Sequence, residues 1–130
     1  MVLTQKKLMA LAIASFVSVG ATNAFASGDA ANGANLFKTS ICSACHSTVK
    51  GGASPIGPNL FGVVGRKAGS LAGFSYSPAM KAAGMTWDEA NLAKYLMSPS
   101  AVIPGNKMIF NGLKKQEDAE SVAAYLATLK

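Results

Sequence analysis

The chain has 130 residues, half of them hydrophobic, with twelve Lys/Arg against six Asp/Glu and a net charge of +6. That is one domain of ordinary size, and without a recognition motif or a dense basic run the charge does not describe a nucleic-acid binder. Two cysteines and one histidine are its whole stock of Cys and His, which excludes a zinc site of four such ligands.

Residues 1–26 read as a secretory signal peptide, cleaved after Ala26. Lys6 and Lys7 form a positive start, Leu8 to Ala21 is an uncharged apolar run, and Ala24-Phe25-Ala26 offers small residues where a signal peptidase reads them. A retained membrane anchor is the competing reading. The run of 14 residues falls short of the roughly 20 that span a bilayer. Residues 27–130 then form the working domain. Removing the leader leaves ten basic residues against six acidic ones, a net of about +4, suited to docking on an acidic protein surface.

Asp29 to Thr39 is expected to form a first helix, with Ala31, Ala34, Leu36 and Phe37 apolar. Gly33 and Phe37 are four residues apart and share a face. A mid-helix glycine costs about 1 kcal/mol relative to alanine, which a close helix–helix contact would explain. Lys50 to Pro58 is rich in Gly, Pro and Ser and reads as loop. Ser77-Pro78 opens a short helix that stops near Gly84, since proline at the first helical position gives up only an orphan N–H. Thr86-Trp87-Asp88-Glu89 has capping-box spacing, with Thr86 as the cap. The helix it opens carries Leu92, Tyr95 and Leu96 and ends before Pro99. A last helix starts near Gln116-Glu117-Asp118, with Val122, Tyr125, Leu126 and Leu129 as its stripe. No segment alternates as a strand does. The expected fold class is all-α, four to five short helices joined by long loops, and such loops need something large to wrap.

Cys42-Ser43-Ala44-Cys45-His46 supplies it. Exported cysteines usually end in disulfides, but a pair three residues apart closes a loop too small to staple a fold. A thioredoxin-like pair needs a preceding strand; here a helix precedes. Cys-x-x-Cys-His is the attachment pattern of c-type haem. Two thiols on one helical turn can each form a thioether to one porphyrin, and His46 follows where its imidazole can bind the iron. The expected cofactor is one haem c, covalent through Cys42 and Cys45.

The second iron ligand follows by elimination. His46 is the one histidine, so a second histidine is excluded. Beyond the leader the methionines are Met80, Met85, Met97 and Met108. The first three fall in helices or a tight turn, where core filling is the better reading. Met108 follows the Pro104-Gly105 break, where an extended loop can carry its thioether to the open face. Lys107 or a five-coordinate iron are the alternatives. Met/His ligation raises the reduction potential and leaves no free coordination position, so the expected function is outer-sphere electron transfer and not enzyme chemistry. Two rivals stand beside it: an enzyme or gas sensor in which Met108 dissociates, and a structural haem domain docked in a larger complex.

With these residues in place, the chain resembles a known family. Gly28-Asp29, Gly33, Phe37, Cys42 to His46, Gly57-Pro58-Asn59-Leu60, Gly65-Arg66-Lys67, Phe74-Ser75-Tyr76, Thr86-Trp87, Tyr95-Leu96, Pro104 to Met108 and Tyr125-Leu126 follow the order and spacing of class I cytochromes c. The likeness is to the mitochondrial cytochrome c and photosynthetic-bacterial soluble cytochrome c group, over essentially Gly28 to Leu129. It implies the cytochrome c fold wrapped around one haem. The Pro58 carbonyl would accept the hydrogen bond of His46; Arg66, Tyr76 and Trp87 would hold the propionates; Tyr95 would lie near the Met108 sulfur. Gly33 and Phe37 would pack on Tyr125 and Leu126. The resemblance further implies a monomeric periplasmic carrier, peripheral to the membrane. It would take electrons from a quinol-oxidising bc complex or a dehydrogenase and pass them to a terminal oxidase or photosynthetic reaction centre. Docking would use Lys107, Lys114 and Lys115, with Lys38 and Lys50 as lesser contributors. Met80 departs from an asparagine in mitochondrial relatives and Asn106 from a threonine. Ala53, Ser100 and Ala101 stand where lysines are frequent, so electrostatic steering should be weaker.

Overall fold

Two helices from opposite ends of the chain meet at a glycine. In the computed structural model, which describes residues 28–130, α1 (Ala30–Thr39) and α6 (Gln116–Ala127) pack against each other, and α4 (Glu89–Met97) packs on the other side of α6. A Cβ placed on Gly33 would come within 1.9 Å of the Ser121 carbonyl oxygen, so only glycine lets the backbones approach this closely. Beside it the Phe37 and Tyr125 rings sit 5.7 Å apart, tilted by 57°, as the resemblance implied. On α6, Ala119, Val122 and Ala123 are at most 1% exposed, which makes this helix the centre of the core.

Each longer helix starts where its sequence supplies a partner for orphan N–H groups. Asp29 caps α1, its carboxylate accepting from Ala31 at 2.9 Å and Asn32 at 3.3 Å. In α3 (Pro78–Ala82) the Ser77 hydroxyl accepts from the Met80 amide at 3.0 Å, Pro78 occupies the first turn, and Gly84 ends the segment at φ 68. The cap of α4 differs from expectation. It is Asp88, not Thr86: the Asp88 carboxylate accepts from Asn91 at 2.6 Å, and the helix begins at Glu89. Thr86 is occupied otherwise, pairing with Lys67 in an isolated antiparallel bridge flanked by Trp87 N–H to the Arg66 carbonyl at 2.9 Å. Thr-x-x-Glu and Asp-x-x-Asn overlap here, and the extended pairing settles which one acts.

Six helical segments stand among the described residues, against the four or five expected. One addition is α2 (Cys42–Cys45), the turn that carries the cysteine motif. The other is α5 (Pro99–Val102), a single turn in which Pro99 both ends α4 and starts the next segment. The class is all-α as expected. The expected signal segment 1–26 lies outside the described residues.

Polar hubs hold the long loop between Cys45 and Pro78. The Asn59 amide donates to the carbonyls of Val49 (2.8 Å) and Gly52 (3.0 Å) and accepts from the Phe61 amide (2.8 Å). Asn59 is buried, and these bonds satisfy it. Ile41, just before α2, has φ 66, the one non-glycine positive φ among the described residues. An L-residue in that region costs about 1–2 kcal/mol, more for a β-branched side chain.

Gly33→Ala is expected to lower folding stability by about 1–3 kcal/mol through overpacking, read from chemical denaturation of the haem-loaded protein.

Candidate functional site: a cavity walled by the cysteine motif and Met108

Between α1, α4, α6 and the loops lies a cavity of about 430 Å³, within the size range of small-molecule and cofactor sites. Cys42, Cys45, His46, Pro58, Arg66, Tyr76, Trp87, Tyr95 and Met108 all line it. Every site residue expected from the sequence is therefore brought to one place. Most of the remaining wall is apolar, including Phe37, Leu60, Val63, Leu92, Leu96, Val122 and Leu126.

His46 is aimed by two neighbours. Its Nδ1 lies 2.7 Å from the Pro58 carbonyl oxygen. A carbonyl only accepts, so Nδ1 carries the proton and Nε2 keeps its lone pair for a metal. Burial holds the imidazole below its ordinary pKa, with the Pro58 bond partly opposing, which also favours the neutral, ligating form. Gly57 sets the other constraint: a Cβ there would come within 2.3 Å of the ring. Its amide donates to the Cys45 carbonyl at 2.8 Å, so the loop is fastened directly to α2. The two cysteines are half-buried and not bridged to each other, and burial pushes the Cys42 thiol up.

Met108 comes from the opposite side, on a segment fastened by Asn106. The Asn106 side chain donates to the Ile103 carbonyl at 2.8 Å and accepts from the Met108 amide at 2.9 Å. Gly105 at φ 86 makes the preceding turn. Asn106, a departure from the family pattern, is thus the brace of the Met108 loop.

Arg66, Tyr76, Trp87 and Tyr95 supply the polar part of the wall. The Arg66 guanidinium donates to the Asn59 carbonyl at 2.9 Å and to the Phe61 carbonyl at 3.5 Å. No carboxylate of the described residues pairs with it, and burial lowers its pKa. A partly desolvated cation on an apolar wall calls for an anion beside it. The Tyr76 hydroxyl accepts from the Leu71 amide at 3.3 Å, which leaves its own O–H free to donate. Trp87 and Tyr95 stack at 5.1 Å with a 56° tilt, and burial pushes Tyr95 up to about 12.

Sequence reasoning passed over part of the lining. Met80, read as core filling, lines the cavity while packing against the core. Phe74, Phe110, Ile41, Ile56 and Ile109 also line it. Phe110 and Ile109 directly follow Met108 and Ile41 directly precedes Cys42, so adjacency to a ligand was the available signal. The donor set fits covalent haem. Two thiols share one turn with the imidazole, a thioether stands on another segment, and a cation without an acid lies in the same wall. No cluster of three His, Cys, Asp or Glu exists among the described residues that could hold a bare metal ion.

Gly57→Ala is expected to turn the His46 ring off the Pro58 carbonyl and to cut the yield of haem-bearing chain severalfold, measured by haem stain against total protein. Tyr95 gives a pH signature. Its folded pKa lies above the unfolded value near 10, so the folded state holds the proton longer. The resulting stabilisation is whole below pH ~10 and is lost as pH rises toward ~12. Tyr95→Phe should flatten that part of the alkaline stability profile, read from denaturation midpoints.

Comparison with known proteins agrees with this arrangement. The family model described as Cytochrome c matches residues 30–130. The chain is 47% identical over 125 residues to cytochrome c2 of Rhodomicrobium vannielii, covering 94% of this chain and 96% of that one. It is 50% identical over 99 residues to cytochrome c of Chlamydomonas reinhardtii, covering 76% and 88%. The solved structure of cytochrome cH from Methylobacterium extorquens superposes with a TM-score of 0.71 at 41% identity, covering 78% of this chain and 99% of that one. Two half-buried cysteines on one turn, facing a cofactor-sized apolar cavity within a matching family, leave one reading: the chain belongs to the cytochrome c family, an electron-transport protein with one haem c bound covalently through Cys42 and Cys45.

Proposed function

We propose that the protein is a diffusible one-electron carrier of the periplasm whose iron is held between His46 Nε2 and the Met108 thioether. The observation that carries this reading is the convergence of His46 and Met108, 62 residues apart in sequence, on one cavity. The bound haem supplies an iron centre that takes up and gives back one electron with no bond made or broken. His46 is oriented for ligation by the Pro58 carbonyl. Met108 presents a soft donor that favours the reduced state and raises the potential. The apolar walls exclude water and act in the same direction, because reduction lowers the charge that has to be buried. Arg66, the free O–H of Tyr76 and the Trp87 indole N–H hold the propionate groups, and Tyr95 lies on the Met108 side.

The donor in this reading is a quinol-oxidising bc complex or a dehydrogenase, and the acceptor a terminal oxidase or photosynthetic reaction centre. The exposed side chains of Lys107, Lys114 and Lys115 supply cations for docking. Export is supported by the reach of the likeness to the Rhodomicrobium vannielii protein. At 94% of the chain it extends into the leader, whose cleavage after Ala26 leaves a monomeric mature domain.

An optical potentiometric titration tests the ligand assignment. Met108→Ala should abolish the sulfur-to-iron charge-transfer band of the ferric protein and lower the midpoint potential, while Met80→Ala keeps the band. Loss of the band in Met80→Ala alone would move the ligand to that residue.

A further inference from the structure

The mouth of the cavity is ringed by side chains that electron transfer by itself does not require. Four large hydrophobic residues stand out among the described residues: Ile41 (65% exposed), Val49 (67%), Ile56 (69%) and Ile109 (101%). Three of them, Ile41, Ile56 and Ile109, also line the cavity. They come from the residue before α2, the long loop and the segment after Met108, so three distant stretches bring isoleucine to one opening. A single exposed hydrophobic residue is ordinary. A cluster around a functional opening marks a contact surface.

Ile41 strengthens the case. Its left-handed backbone at φ 66 is a conformation that glycine or asparagine holds with less strain. At 65% exposure the side chain recovers little by burial within the fold. Turn geometry and solvent both disfavour isoleucine here, and what it provides is an apolar surface at the mouth. The charge pattern agrees. Arg66 and Lys107 are the charged side chains of the lining, and only Lys107 is exposed. No Asp or Glu lines the cavity.

We propose that Ile41, Ile56 and Ile109 form the contact that holds the redox partner. The patch they meet is an apolar protein surface with a carboxylate opposite Lys107. This rests on the electron-carrier reading above and names the chemistry of its partner. Charges at a rim act mainly on the rate of encounter, and desolvated contacts act on the lifetime of the complex. Here the lysines steer weakly and the isoleucines hold. An anionic membrane surface is a poorer occupant, since such surfaces recruit clusters of basic residues and the mouth has one exposed lysine. A second copy is poorer too, because a two-fold contact would set the same cation against itself.

The test uses the haem-loaded protein as reductant or oxidant for washed, quinol-reducing membranes of the organism that encodes it, with KM and kcat measured between 20 and 200 mM salt. Replacing all three isoleucines (Ile41→Asn, Ile56→Ser, Ile109→Ser) is expected to raise KM about tenfold with kcat little changed. Replacing Lys107, Lys114 and Lys115 by Gln should raise KM only about twofold at 0.15 M salt. Val49→Ser, exposed but away from the cavity, should behave as the wild type. Ile56→Leu with Ile109→Leu, which keeps apolar area, should stay within about twofold of it. Each variant's thermal midpoint shows that it is folded. An unchanged KM in the isoleucine variant overturns the proposal, as does a lysine variant that loses more than the isoleucine variant. Faster reduction by ascorbate with KM unchanged would assign the isoleucines to covering the cofactor edge, and so overturns it as well. Failure of the wild type to exchange electrons with the membranes would instead overturn the electron-carrier reading on which the proposal stands.

Discussion

The fold and the cofactor site share their walls. Phe37, Val63, Leu92, Leu96, Val122 and Leu126 belong to the packed core and also line the cavity. Nothing that shifts α1, α4 or α6 can leave the site unchanged, and nothing that fills the site is neutral to the helices. A domain of this size buries only about two-thirds of the surface its unfolded chain exposes, so a large apolar group against six core side chains is a substantial part of its stability. Loading and folding are coupled through mass action, here made permanent by the bonds at Cys42 and Cys45.

The polar ties follow the same economy. Each potential ligand is aimed by a backbone carbonyl or amide through one intermediary: Pro58 directly for His46, and Asn106 for Met108. These are short, local bonds that fix direction. The long-range positioning comes from packing, above all the approach of α1 and α6 at Gly33. Specific hydrogen bonds therefore act as the fine adjustment on a frame set by helix contacts.

Much of this was legible in the sequence because its signals are short and chemically specific. Cys42 to His46 named the attachment site, the lone histidine removed one ligand scheme, and Pro104-Gly105 marked the break before Met108. Gly33 announced the helix crossing through its cost in a helix. The failures came where two local signals overlapped or where a residue served at a distance. Thr86 and Asp88 both read as caps, and pairing with Lys67, remote in sequence, decided between them. Met80 looked like core because helical periodicity reports burial, and a cavity wall is buried in the same sense. The single turn of α5 was too short to show a period. Ile41, Ile56 and Ile109 carried no pattern at all, since their common feature is a shared opening in space.

The two halves of the site differ in how far apart their parts lie along the chain. His46, its carbonyl partner Pro58 and both cysteines fall within residues 42–58. Met108 reaches the same cavity from beyond α4 and α5, on an irregular segment anchored by the Asn106 bonds and by the Leu113 amide on the Leu96 carbonyl at 2.8 Å. A stretch held by so few ties opens at lower free energy than the helices around it. The molecule thus has a stiff jaw and a yielding one. Thermal agitation or mild denaturant acts on the Met108 jaw first, while the tethered half keeps its cargo.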